Sequence, residues 1–295
     1  MSDERGLRRG TAVGEALRAA AGEILAEARK PLDDAAGLDA AAVHDFRRAM
    51  KRWRALLRLL APFVGPQGRA LRLEARDLAR VLSGARDAQA ARDALADLAK
   101  QDWQISARSL ATLRARLEVI REHAEARILT EAMRQDLLAA LDEATAAVER
   151  WGLDDLAFEA VAERLARSFR SARRALPDDW EQATPEELHT LRKRVVTHRY
   201  QMDLVAPLWP RFGRMWTGEA QRLRERLGKH QDLLVLARFT APHQPLAHWR
   251  SRLLPAVEDR RRAHVTAARR LAIRFLAEKP GSLRRRLEAM WAATT

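Results

Sequence analysis

Leu, Ala, Val and Met recur at steps of three and four through most of the chain, with Arg and Glu between them, and strand-like alternation is sustained nowhere. The runs last roughly 15–25 residues and end at short Pro- or Gly-containing breaks such as Pro62–Gly68, Pro177–Pro185 and Pro242–Pro245. The pattern predicts an all-α protein with helices near residues 11–30, 40–61, 67–85, 88–100, 105–127, 130–150, 155–175, 185–206, 212–230, 232–240, 246–277 and 281–291. Leu82–Asp87 and Leu227–Asp232 read as helix ends or turns, with Asp87 capping a following helix.

Shifted by 145 residues, the chain matches itself without a gap: His44 falls on His189, Arg47 on Arg192, Arg48 on Lys193 and Arg54 on Arg199. Leu59, Ala61 and Pro62 then meet Leu204, Ala206 and Pro207, and Leu82 and Asp87 meet Leu227 and Asp232. A chain rich in Ala, Leu and Arg aligns those residues by chance, but His, Pro and Asp at one shared offset point to an internal duplication. The expected architecture is two helical halves, residues 1–150 and 151–295, packed about a pseudo-twofold axis with a shared site at their junction. The copies differ where Val196 stands for Lys51, Asp203 for Arg58 and His198 for Trp53, and His198, on the apolar stripe, reads as a core or boundary histidine.

In the helix that begins near Val43, His44, Arg47, Lys51, Arg54 and Arg58 lie along one face, beside an apolar stripe of Val43, Phe46, Met50, Trp53, Leu57 and Leu60. With Arg48 and Arg52 the cations cover about 160° of the helix. Neighbours about 6 Å apart repel by roughly 0.7 kcal/mol even at the dielectric of water. For one helix a solvated face is a sufficient explanation. A second helix with His189, Arg192, Lys193, Arg199 and Tyr200 at matching positions, and also Arg194, makes a binding groove the better one. The preceding helix adds Arg167, Arg170 and Arg174 on one face, with Phe169 interleaved and Arg173 turned to solvent.

The net charge of +14 gives the groove its sign. It is unevenly spread, with 26 cations against 23 acids in residues 1–150 and 28 against 17 in residues 151–295. Of the 54 cations 48 are Arg, whose planar fork of donors suits phosphate oxygens, although a compositional preference for Arg and Ala accounts for much of the surface. There is no cysteine, which excludes disulfides and thiolate metal sites. MSDERGLRRG is charged and no long apolar run follows, so the expectation is a cytoplasmic protein with no secretory signal or membrane span.

The segments VHDFRRAMKRWRALLRLLAPF and LHTLRKRVVTHRYQMDLVAPLWP, followed at equal distances by LSGARD and LGKHQDLLVL, resemble the CHAD family of α-helical domains, as do LARSFRSARRA and LAIRFLAEKPGSLRRRLEAMW. The resemblance covers nearly the whole chain. It implies paired helical bundles around a central basic pore that binds inorganic polyphosphate and directs proteins to polyphosphate granules. By motif position the pore residues would be His44, Arg47, Arg48, Lys51, Arg54, His189, Arg192, Lys193, Arg199 and Tyr200, with Arg274 and Lys279 carried by the same likeness. Val196 stands where the family has a basic residue and Phe169 where a Tyr is common. Relatives are often joined to, or encoded near, a CYTH-type triphosphatase, which makes such an enzyme, or granule proteins, the expected partners.

Two other functions compete. Nucleic acid would be attracted by the charge, but zinc-finger spacing, an RRM signature and a helix-turn-helix are all missing. One Tyr and seven Phe offer little base stacking, and the eight Trp read as core, so nucleic acid is expected only as a non-specific competitor. Catalysis lacks a nucleophile–base–orienter set, a P-loop and paired carboxylates, and His243, His248 and His264 make no convincing metal triad. The expectation is a binding module without enzymatic activity, cofactor or metal.

Overall fold

A computed structural model describes residues 6–33, 40–81, 86–101, 105–125 and 130–294. Among these the fold is all-α, with eleven α-helices and no strand: α1 (Val13–Asp33), α2 (Ala40–Leu60), α3 (Gly65–Val81), α4 (Arg86–Leu98), α5 (Ala107–Glu125), α6 (Glu131–Glu149), α7 (Phe158–Arg173), α8 (Pro185–Asp203), α9 (Pro210–Phe239), α10 (Arg250–Phe275) and α11 (Pro280–Ala292). None of them is long and apolar enough to cross a membrane.

Several ends follow from local chemistry. Thr184 caps α8 with a complete capping box, its hydroxyl accepting from Glu187 N and the Glu187 carboxylate accepting from Thr184 N, while Pro185 opens the helix. Thr130 caps α6, and Pro210 and Pro280 start α9 and α11. Gly14 lets α1 run against the loop before α7, where a Cβ would stand 1.9 Å from the Leu153 carbonyl oxygen.

One boundary in the sequence reading is corrected. The break expected between residues 230 and 232 is absent, and α9 runs unbroken through Gly228 and Asp232. The segment contains no proline, and one glycine costs a helix only about 1 kcal/mol. In the first half α4 starts at Arg86, with Asp87 in its first turn rather than at its cap; Leu82 lies outside the described residues.

Adding 145 to the bounds of α1 gives 158–178, beside α7, and to those of α2 gives 185–205, beside α8. The same shift places α3 within α9, α5 within α10, and α6 around α11. The packing follows the same order: α1 lies on α2 and α6, and α7 on α8 and α11.

The larger core draws on both halves. It includes Phe46, Met50, Trp53 and Leu57 of α2 and Leu188, Leu191, Val195 and Met202 of α8, and Trp53 stacks on Trp151 at 5.8 Å. A smaller core joins α4 and α5 to the C-terminal part of α9 and the start of α10, around Leu95, Leu98, Leu117, Leu236 and Leu253. Among the described residues Trp53, Trp151, Trp180 and Trp216 are buried, and Trp209 is 49% exposed.

Candidate functional site: an arginine-lined cavity beside the α2–α8 crossing

The apolar stripe of α2 is buried as its spacing predicts, which leaves the cations on the remaining surface: His44, Arg48 and Lys51 exposed, Arg47, Arg52, Arg54 and Arg58 half-buried. On α8 the same geometry leaves His189, Arg192, Arg199 and Tyr200 half-buried and Lys193 and Arg194 exposed. The two helices cross near Ala55, whose carbonyl accepts a 2.9 Å bond from buried Gln201 Nε2. Tyr200 is covered by the guanidinium groups of Arg199 and Arg52, at 5.1 and 6.0 Å from the ring centre.

Beside the crossing lies a cavity of about 430 Å³. Six arginines from four helices converge on it: Arg58 of α2, Arg69 and Arg72 of α3, Arg164 and Arg167 of α7, and Arg194 of α8. Ser168, Ser171, Thr197 and Gln201 supply neutral polar groups, and no carboxylate is among the described lining residues. Arg164, Arg167, Ser168 and Ser171 recur at three- and four-residue steps, so α7 presents them on one face. Arg58 donates to Thr197 Oγ1 at 3.2 Å, and Arg164 Nη2 donates to the Arg58 carbonyl at 3.1 Å, which holds both guanidinium groups in place. Burial, then the charges of Arg54, Arg72 and Arg194, push the Arg58 pKa down; burial and Arg167 do the same to Arg164. Arginine stays charged regardless, so the shifts report charges held partly out of water beside other cations, a cost that a bound anion would offset.

Other predicted residues lie outside this cavity. Arg192 lies against Gly228 and lines a cleft of about 340 Å³ with Arg224, Lys229 and Lys100, where Asp93, Asp97, Glu225 and Asp232 offset the charge. His189 borders another cavity with Arg238 and Arg250. Burial and then the Lys51 charge hold the His44 imidazole below its ordinary value, with Asp45 opposing and Arg48 and Arg224 adding to the effect. Arg48 pairs with Asp45 at 3.1 Å, an acid beside the stripe that the sequence reading had left out. Arg167 reaches the cavity while bound to Glu163 at 3.1 Å; Arg170 and Arg174 are exposed and line none of these cavities. Arg173 donates to the Glu278 carbonyl rather than pointing to solvent. Arg274 pairs with Glu219 at 2.5 Å, and Lys279 is exposed at the cap of α11.

The sequence reading missed Arg69, Arg72 and Arg164 as cavity residues, and it had Arg194 only as part of the basic face of the second helix. For Arg164 the signal was available as a position facing away from the apolar stripe of α7. It also missed a buried acid. Asp97 of α4 accepts from Arg260 Nε at 2.7 Å, Lys229 Nζ at 2.9 Å and His264 Nε2 at 2.7 Å. Burial pushes its pKa up, but the bonds from Arg260, His264 and Lys229 outweigh that and hold it well below the usual carboxylate range. The cluster fastens α4 to α9 and α10. Among the described residues no group of three or more His, Asp or Glu is placed to hold a metal ion.

An all-helical domain with an arginine-lined cavity between packed helices is the class that fold and site define. The chain belongs to the CHAD domain family, whose description matches residues 15–241. That family is associated with polyphosphate binding. The crystal structure of the CHAD domain from the plant Ricinus communis shares the fold, with a TM-score of 0.63 and 24% sequence identity over 98% of this chain and 96% of that one. No curated protein matches the sequence.

Proposed function

We propose that this protein binds inorganic polyphosphate as a non-catalytic module, gripping successive phosphates with guanidinium groups. The observation that carries the reading is the convergence of six arginines from four helices on one cavity whose described lining has no carboxylate. Arg58 ends the cationic face of α2, and from His44 to Arg58 that helix runs about 21 Å, long enough for several phosphates in a row. In this reading the 145-residue repeat is a duplication, residues 1–150 and 151–295 are its halves, and the basic faces of α2 and α8 flank a central groove leading to the cavity. The helix-by-helix correspondence supports it. The module resides in the cytoplasm and attaches to polyphosphate granules, where granule proteins or a CYTH-type triphosphatase are its partners; nucleic acid competes only through bulk charge.

The test is a titration with long-chain polyphosphate and with single- and double-stranded DNA at matched phosphate concentration across a salt series. An Arg58→Ala/Arg164→Ala/Arg194→Ala variant, which strips three arginines from the cavity, is run alongside. Polyphosphate binding that survives physiological salt, outcompetes DNA and collapses in the variant is the expected result. Equal affinity for all three polyanions, or a variant that binds like the wild type, would reduce the basic surface to a generic one.

A further inference from the structure

The floor of the arginine cavity is connected to the core by a chain of hydrogen bonds with a fixed direction. Trp216 of α9 is 5% exposed and its Nε1 lies 3.0 Å from His198 Nε2, inside a ring cluster with Phe169 and Phe275. An indole N–H only donates, so His198 Nε2 accepts. In a neutral imidazole the proton then resides on Nδ1. His198 has no solvent exposure, and burial pushes its pKa down to about 3, so the ring is neutral at any ordinary pH. His198 Nδ1 lies 3.3 Å from Ser168 Oγ. The serine cannot donate to Nδ1, because that would leave the imidazole without a proton on either nitrogen. Ser168 Oγ therefore accepts from His198, which leaves its own hydrogen to donate elsewhere. Ser168 is half-buried and lines the cavity.

We infer that Ser168 is a phosphate-binding residue of the arginine cavity, and that His198, oriented by Trp216, is a positioning residue that turns the Ser168 hydroxyl into a donor. The inference rests on the polyphosphate reading and assigns this hydroxyl to a phosphoryl oxygen. Six guanidinium groups attract any polyanion. A single fixed neutral donor between them adds a demand on where one oxygen must sit, which a diffuse charge cannot make. Without His198 the hydroxyl is free to donate to the carbonyl one turn back, at Arg164, as helix serines commonly do. It would then point away from the cavity.

The experiment is calorimetric titration of the full chain with tripolyphosphate, with melting of each unliganded variant as the check on folding. Ser168→Ala is expected to weaken binding about tenfold, the loss of one hydrogen bond to a charged group, and Ser168→Thr to recover most of it. His198→Phe is expected to weaken binding about threefold, and His198→Asn, whose amide nitrogen occupies the place of Nδ1, to stay close to wild type. Adding His198→Phe to Ser168→Ala should cost nothing further, a coupling that general loosening of the core would not produce. If Ser168→Ala binds within twofold of wild type while Arg58→Ala binds weakly, the serine's role is refuted and the cavity reading stands. If neither variant weakens binding, the cavity is not the site and both readings fall.

Discussion

Arg58 separates a binding arginine from a structural one. In the empty protein it makes one side-chain bond, to Thr197, and is pressed by Arg54, Arg72 and Arg194. At roughly 8 Å in a solvent-screened setting each like charge costs on the order of 0.5 kcal/mol, so three cost about 1.5. Replacement by Gln removes that repulsion and a hydrogen bond worth about 1 kcal/mol. The balance leaves folding stability unchanged or raised by less than about 1 kcal/mol. With a phosphate bound, the same substitution removes a charge-assisted bond worth about 1.5–3 kcal/mol, a loss of about 10- to 150-fold in affinity. Urea unfolding without ligand, and tripolyphosphate titration in the same buffer, measure the two numbers. A stability loss above about 2 kcal/mol would show that Arg58 is part of the scaffold, and an affinity within twofold of wild type would show that it meets no ligand. Either result refutes the reasoning.

Asp97→Asn should destabilise the fold by about 3 kcal/mol or more, since it leaves the mostly buried Arg260 guanidinium without its buried carboxylate partner; urea midpoints read this, and a loss under about 1 kcal/mol would contradict it. The wild-type Asp97 contribution is complete above the unfolded carboxylate pKa of about 3.9 and fades only below it, because the folded pKa is depressed. His198 acts in a higher window. Its folded pKa of about 3 is also depressed, so the unfolded chain takes the proton first and stability falls as pH drops below about 6.5. The fall is about 1.4 kcal/mol per pH unit, with His230, pushed down to about 4, adding to it. Unfolding free energies equal at pH 7 and pH 5 would refute this. Thr184→Ala should cost about 1 kcal/mol through loss of the capping box at α8, and Thr184→Ser should recover it.

The helices were legible because each has an apolar stripe that matches its buried face, as Phe46, Met50, Trp53 and Leu57 show on α2. The sequence reading misplaced the break near Asp232 because it read Leu227–Asp232 as a helix end or turn, whereas those residues continue one helix. The cationic face of α2 was also visible in the spacing. The cavity was not, because only tertiary packing brings Arg69 and Arg72 of α3, Arg164 of α7 and Arg194 of α8 together around Arg58. Residue type alone did not single out Asp97 among 40 acids either; its burial against Arg260 and His264 depends on how α4 meets α10. His198 was legible as a core residue from its place on the stripe, but its contact with Ser168 depends on how α7 packs on α8.

The most direct test of the central claim is a crystal structure of the protein with tripolyphosphate. The account predicts phosphate density inside the cavity, within hydrogen-bond distance of Arg58, Arg164, Arg167 and Arg194. Density confined to exposed cations such as Arg170, Arg174 or Lys193, with the cavity holding only water, would contradict it.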